Sequence, residues 1–202
     1  MKIIKIETLI SRGSFAKTKF WANARKAICT AILAVDHPIG SGKFTIFPES
    51  GKKRGKGNGV KPIKDLFVKK LVKSGWKSEE PLKIASEAKP GKLDAVLYGK
   101  AGTIAVEWET GNISSSHRAL NKMVLGLMKG LIQAGILIVP SRKLYKFLTD
   151  RIGNFTELEP YLDVWKALTI GDGVLEIIVI EHDAESESVP RIKKGTDGRA
   201  LI

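Results

Sequence analysis

Residues 92–109 read KLDAVLYGKAGTIAVEWE, two apolar, β-prone runs joined by Gly-Lys-Ala-Gly. That pattern predicts a β-hairpin. Side chains two apart on a strand share a face. Glu107 and Glu109 therefore project together around Trp108, and Asp94 on the preceding strand can lie beside them. Next comes SSSHRALNKMVLGLMKGL, apolar at helical spacing, with serines available as caps. GILIVP then reads as a short buried strand. From 102 to 139 the chain is thus strand–helix–strand, a unit that joins parallel strands by a right-handed crossover. An antiparallel hairpin leading into a parallel pair makes the sheet mixed.

The rest of the chain supplies layers for that sheet. MKIIKIETLISRG reads as a short alternating strand, KFTIF as another, and VLEIIVIEHDA as the last. Residues 16–35 have helical periodicity. KPIKDLFVKKLVKSGW is an amphipathic helix with Pro62 in its first turn and Gly75 near its end. SRKLYKFLTDRI and FTELEPYLDVWKAL read as two further helices, Asn154 capping the second. The predicted fold is α/β, a central mixed β-sheet flanked by helices on both sides. Residues 1–202 form one domain, and 186–202 form a polar C-terminal arm.

Composition narrows the function. With 43% hydrophobic and 27% charged residues, the chain matches an ordinary globular protein. It has no apolar run of the ~20 residues that span a bilayer. The N-terminus lacks the long apolar region of a signal peptide. Cys29 is the only cysteine, which excludes an internal disulfide and points to a reducing, cytoplasmic setting. The formal net charge is +13 and the sequence pI about 9.8. Residues 43–77 hold eleven Lys and Arg against two acids, Glu49 and Asp65. Within that block, GKKRGKGNGVKPIK is a basic, Gly-rich loop suited to phosphate contact, with Lys56, Lys61 and Lys64 as candidates. A plain solvated loop has the same composition. The expected partner is a polyanion, either nucleic acid or an anionic membrane.

Three adjacent carboxylates in so basic a chain need a cation, because each resists ionising beside the others. Hard oxygen ligands favour Mg²⁺ or Mn²⁺. Such an ion activates water and stabilises charge on a phosphodiester. Acidic residues on a solvated strand face would give the same spacing, so the spacing alone reads only as a metal-dependent nucleic-acid enzyme. Other chemistries fit less well. His37, His117 and His182 lack zinc-ligand spacing, and GSGKFT at 40–45 lacks the upstream Gly and the preceding strand of a P-loop.

The strings EWETGNISSSHRALNKMVLGLMKG and LYKFLTDRIGNFTELEPYL, extended by NGVKPIKDL and GTDGR, resemble the BamHI-like family of type II restriction endonucleases. The likeness covers roughly residues 56–200. It implies a PD-(D/E)xK core with the usual Lys replaced by Glu109, and a homodimer that cuts GGATCC after its first G, leaving four-base 5′ overhangs. It implies double-stranded DNA as partner with no membrane involved, Mg²⁺ as cofactor, with Mn²⁺ able to substitute and Ca²⁺ inhibitory, and a prokaryotic cytoplasm. By motif position Asp94, Glu107 and the Trp108 carbonyl are metal ligands, Glu79 is an upstream metal-site acid, and Glu109 orients or deprotonates water. Asn112, Ser114 and Arg118 match major-groove base readers, as do Asp150 and Arg151. Arg and carboxylate chemistry suits the two halves of a G·C pair. Lys194, Gly195, Asp197 and Gly198 match a minor-groove arm, to which Lys193 and Arg199 add charge suited to that groove.

The likeness has departures. The interval from Asp94 to Glu107 is shorter than the family's. Lys129 replaces a histidine and Asp163 a glutamate at dimer positions, and Met128 and Lys166 have lost the family's charge types. Residues 24–35 with 116–131 are expected to supply apolar dimer contacts. The alternatives are a non-catalytic sequence-specific DNA-binding protein on the same fold, and a nuclease that reads junction shape.

Overall fold

The computed structural model describes residues 1–52, 55–85, 91–149 and 152–194. In chain order the strands are β1 (Lys2–Arg12), β2 (Thr45–Ile46), β3 (Lys77–Pro81), β4 (Lys92–Gly99), β5 (Gly102–Trp108), β6 (Ala134–Pro140), β7 (Gly173–Glu181) and β8 (Ala184–Glu185). The helices are α1 (Lys19–Leu33), α2 (Lys61–Val72), α3 (Ile113–Met128) and three short pieces, α4 (Arg142–Tyr145), α5 (Phe155–Leu158) and α6 (Leu162–Lys166). Six strands form one mixed sheet in the order β1-β7-β6-β5-β4-β3. β4 and β5 pair antiparallel, whereas β5–β6 and β6–β7 are parallel.

Why the sheet carries helices on both faces is visible in β6 and β7. β6 is apolar throughout and wholly buried, as a central parallel strand must be when both faces are covered. Along β7, Val174, Ile178 and Ile180 pack on one side with Trp21, Ile28 and Ile32 of α1 and Phe67 and Leu71 of α2. Leu175, Ile177 and Val179 pack on the other with Leu120 and Met123 of α3, Leu158 of α5 and Trp165 of α6. The polar interruption on the α1 side, Glu176, is buried and ion-paired with Arg25 at 2.8 Å. Gly135 of β6 lets α3 approach: a Cβ there would lie 2.8 Å from Met123 Cβ.

Several expectations need correction. Of the helix predicted over 141–152, the described residues 141–149 are not one helix. After the single turn of α4, the backbone is captured by Asn58, whose N–H donates to the Phe147 carbonyl at 2.8 Å and whose carbonyl accepts from Thr149 N–H at 2.9 Å. Those bonds replace the ones a longer helix would make. The stretch 155–168 divides into α5, a 3₁₀ turn (Glu159–Tyr161) and α6, because Pro160 offers no N–H and crowds the preceding turn. Asn154 stands at the N-cap, but its side-chain oxygen accepts nothing among the described residues; the Glu157 carboxylate instead accepts from the Asn154 N–H at 3.2 Å. The serines do not cap α3; the Asn112 side chain does, accepting from Ser115 N–H. KFTIF pairs over only two residues, with the unanticipated β8. β1 is a full edge strand, its alternation broken by register shifts between Ile3 and Lys5 and between Thr8 and Ile10. β3, highly charged, was not anticipated at all. Among the described residues no helix is long and apolar enough to cross a membrane.

Candidate active site

Register brings the acids together. Ala95 of β4 faces Val106 of β5, so the next step along the ladder sets Asp94 beside Glu107. Trp108 points to the opposite face and packs on Phe67 of α2, ring centroids 5.0 Å apart. That buried indole fixes the strand, and the strand aims Glu107 and Glu109 toward α3. The Trp108 N–H donates to Asp94 Oδ2 at 2.8 Å, and the Asp94 N–H lies 3.4 Å from Glu107 Oε2.

Each member of this pair meets an ammonium. Lys64 of α2 donates to Asp94 Oδ1 at 2.8 Å, and Lys122 of α3 donates to Glu107 Oε1. Lys122 also donates to the Lys92 carbonyl at 3.1 Å. Burial and then the Asp94 charge push the Glu107 carboxyl above the usual range, with Lys122 opposing. Burial works against the Lys64 ammonium, but Asp94, with Glu79 and Asp65, outweighs it and holds its pKa above the ordinary lysine value.

Glu109 is not the third member of a tight cluster. Its carboxylate accepts from the Ser116 hydroxyl and from the Gly111 N–H. Among the described residues no three His, Cys, Asp or Glu side chains converge closely enough to hold a metal ion by themselves. The expected triad is therefore a pair plus one separately held acid. Glu109 is 5% exposed. Burial, with the Glu107 charge adding, pushes its pKa up to about 7 against the Ser116 and Gly111 hydrogen bonds. A carboxyl that titrates near neutrality is suited to accept a proton from water.

These groups line an open cleft of about 830 Å³, which also takes in Ser114, Arg118 and Lys122 of α3. Ser114 and Arg118 thus stand in the first two turns of α3, beside the acids, and Asn112 precedes them as the N-cap, outside the cleft lining. Arg118 Nη2 donates to Ser115 Oγ at 3.2 Å, and Asn112 is engaged as the cap. Asp150 and Arg151 lie outside the described residues, as do Gly195, Asp197, Gly198 and Arg199. The root of the arm is described: Ile192 N–H donates to Asn58 Oδ1 at 3.1 Å, and Gly59 N–H donates to the Ile192 carbonyl at 2.9 Å. Lys194 follows directly.

On β3 the two neighbouring acids part company. Glu79 lies 3.8 Å from Lys64 Nζ, whereas Glu80 accepts from the Tyr98 hydroxyl at 3.0 Å. Glu79 adopts φ 52°, a left-handed conformation that costs a non-glycine residue about 1–2 kcal/mol. Of the three candidate backbone-contact lysines, Lys56 pairs with Glu49 at 3.2 Å and Lys61 with Asp65 at 2.7 Å, and Lys64 belongs to the acid pair itself. Lys122 and Ser116 were missed in the sequence. Their signal is faint: polar residues at 7 and 15 positions beyond Glu109 and Glu107, on the helix packed over that strand.

Comparison with known proteins decides the family. The model of restriction endonuclease BamHI matches residues 1–199. The type II restriction enzyme OkrAI of Oceanobacter kriegii is 49% identical over 201 residues, covering all of both chains. The chain belongs to the BamHI family of type II restriction endonucleases. It is a site-specific deoxyribonuclease, a class that works on double-stranded DNA with divalent metal. The type II restriction enzyme BamHI of Bacillus amyloliquefaciens is 36% identical over 190 residues, covering 91% of this chain and 85% of that one. Among solved structures, the restriction endonuclease BglII complexed with a DNA 16-mer matches with TM-score 0.45 and 15% identity, over 60% of this chain and 56% of that one.

Proposed function

We propose that this endonuclease cuts the palindrome GGATCC after its first G in each strand, leaving four-base 5′ overhangs, as a Mg²⁺-dependent homodimer. The observation that carries this reading is the Asp94–Glu107 pair in a cleft whose wall is the start of α3. The donor set fits the ion. Both groups are hard oxygen donors, and Mg²⁺ characteristically takes one or two carboxylates together with substrate phosphate. Two ammoniums already stand against these oxygens, marking where positive charge is required. Asp94, Glu107 and the Trp108 carbonyl would hold the ion, with Glu79 alongside. When bound, it supplies an acidified water and charge stabilisation at the phosphate.

The protein's own groups do the rest. Glu109 takes up the proton of the attacking water, and Ser116 and the Gly111 N–H hold its carboxylate in place. Arg118 suits guanine, and Asn112 and Ser114 suit other base edges in the major groove. Asp150 and Arg151 are assigned to the second reading element, and Lys194, Gly195, Asp197 and Gly198 to the minor-groove arm. Lys56 and Lys61 serve the DNA backbone. Residues 1–202 act as one domain.

A palindrome read by one surface twice calls for two copies about a twofold axis. α1 buries Ala24, Ile28, Ala31 and Ile32 in its own core and leaves Leu33 as its one exposed large apolar side chain. Met128 and Val164 are instead 66% and 63% exposed, at the end of α3 and in α6, and suit the dimer contact.

Incubating the protein with a sequenced plasmid and Mg²⁺, then mapping the cut ends, tests the proposal. Discrete fragments with 5′ GATC overhangs support it. A smear, or no cutting with any divalent ion, refutes it.

A further inference from the structure

Lys64 and Lys122 raise a question that the assigned ligands leave open. Their side chains are only 15% and 16% exposed, and each ammonium touches one carboxylate of the pair. Lys122 is held at a second point by the Lys92 carbonyl. Two ammoniums against two carboxylates cancel. With Glu79, 3.8 Å from Lys64, counted as well, a divalent ion placed between the same carboxylates would still leave a positive charge in surplus, in a partly buried place where such a surplus is costly. The ammoniums must either leave or gain an anion, and the cleft lined by Lys122 and by both carboxylates is open to a DNA phosphate.

We infer that Lys64 and Lys122 are exchangeable counter-ions of Asp94 and Glu107, which keep the free enzyme poor in metal and pass to DNA phosphate when the substrate binds. This rests on the reading that Asp94 and Glu107 hold the ion. The swap couples the two ligands: phosphate draws the ammoniums away, the carboxylates become available, and metal binds more tightly. Linkage requires metal to tighten DNA binding by the same factor. Free protein and protein on non-specific DNA would then differ in metal affinity as well as in geometry.

Calorimetric titration of the full chain with CaCl₂, with and without a GGATCC duplex, tests this without relying on cleavage. Removing either ammonium should tighten Ca²⁺ binding to the free protein by about tenfold or more, because a positive charge that competes with the ion for the same carboxylate is gone. The tightening produced by DNA should shrink by a similar factor. Lys122→Met and Lys64→Met, which keep the aliphatic stem, provide two independent trials should one fail to fold. Unchanged or weaker Ca²⁺ affinity in the free variants overturns the inference. Glu107→Gln separates it from the site reading. If Glu107→Gln leaves Ca²⁺ binding to the DNA complex intact, the site reading itself fails. If Glu107→Gln abolishes that binding but neither lysine variant tightens Ca²⁺ binding to the free protein, only the counter-ion inference falls.

Discussion

At the scale of single residues, Glu107 and Glu109 show how two carboxylates on one strand face acquire different work. Glu107 meets an ammonium, and Glu109 meets a hydroxyl and an amide. Gly111 belongs to that second environment. A Cβ there would lie 2.6 Å from Ser115 Oγ and 3.3 Å from Glu109 Oε1. Gly111→Ala should therefore slow cleavage by about tenfold or more while DNA affinity is kept, since small misplacements of a reacting group are costly; single-turnover rates beside binding isotherms check it. Glu49 offers a pH test away from the acids. Its carboxylate takes Arg191 at 2.8 Å, Gly57 N–H at 2.9 Å and Lys56 at 3.2 Å, and Arg191 first, then those others, hold its pKa down at about 2 against desolvation. A depressed carboxylate pKa stabilises the fold above the unfolded value, near 4.5, and that contribution is lost as pH falls toward 2. The melting-temperature gap between wild type and Glu49→Gln should be widest above pH 5 and close on acidification. The closeness of Asp94 to Glu107 was legible because a hairpin with a period of two needs only the local chain, whereas the separate setting of Glu109 was not. Lys64, Lys122 and Ser116 were not, because helices packing across the sheet bring them in.

At the scale of elements, the unit β5–α3–β6 was readable since its hairpin, helical period and apolar run are all local and mutually consistent. The segment after β6 was not, because Asn58, about 90 positions earlier, takes its backbone groups. β3 escaped because KSEEP has no strand composition; pairing with β4 alone makes it a strand. Two substitutions probe the elements that aim the acids. Trp108→Ala removes the ring packed on Phe67 and should cost about 3–5 kcal/mol. Gly135→Ala drives a methyl into Met123 Cβ and should cost about 1–3 kcal/mol through separation of α3 from β6. Urea unfolding measures both; losses under 0.5 kcal/mol would show that these contacts do not position the strand or the helix.

At the scale of the whole molecule, a basic chain with a cleft in which carboxylates are matched by ammoniums suits an enzyme that gathers DNA by charge and cuts it where a cation can replace those ammoniums. The surplus of +13 was visible in composition. How Lys56 and Lys61 pair with acids was not, since pairing is a property of the folded surface. Dimerisation through the ends of α3 and α6 predicts that Val164→Asp shifts the protein toward monomer in sedimentation velocity, with the fold retained by circular dichroism. The central claim is that phosphodiester hydrolysis runs at the Asp94–Glu107 pair with Glu109 taking the water's proton. Single-turnover cleavage of a GGATCC duplex in Mg²⁺, at saturating enzyme, compares wild type with Glu107→Gln and Glu109→Gln directly. Both variants should be slower by about a hundredfold or more with the duplex still bound, and rates within threefold of wild type would contradict the account.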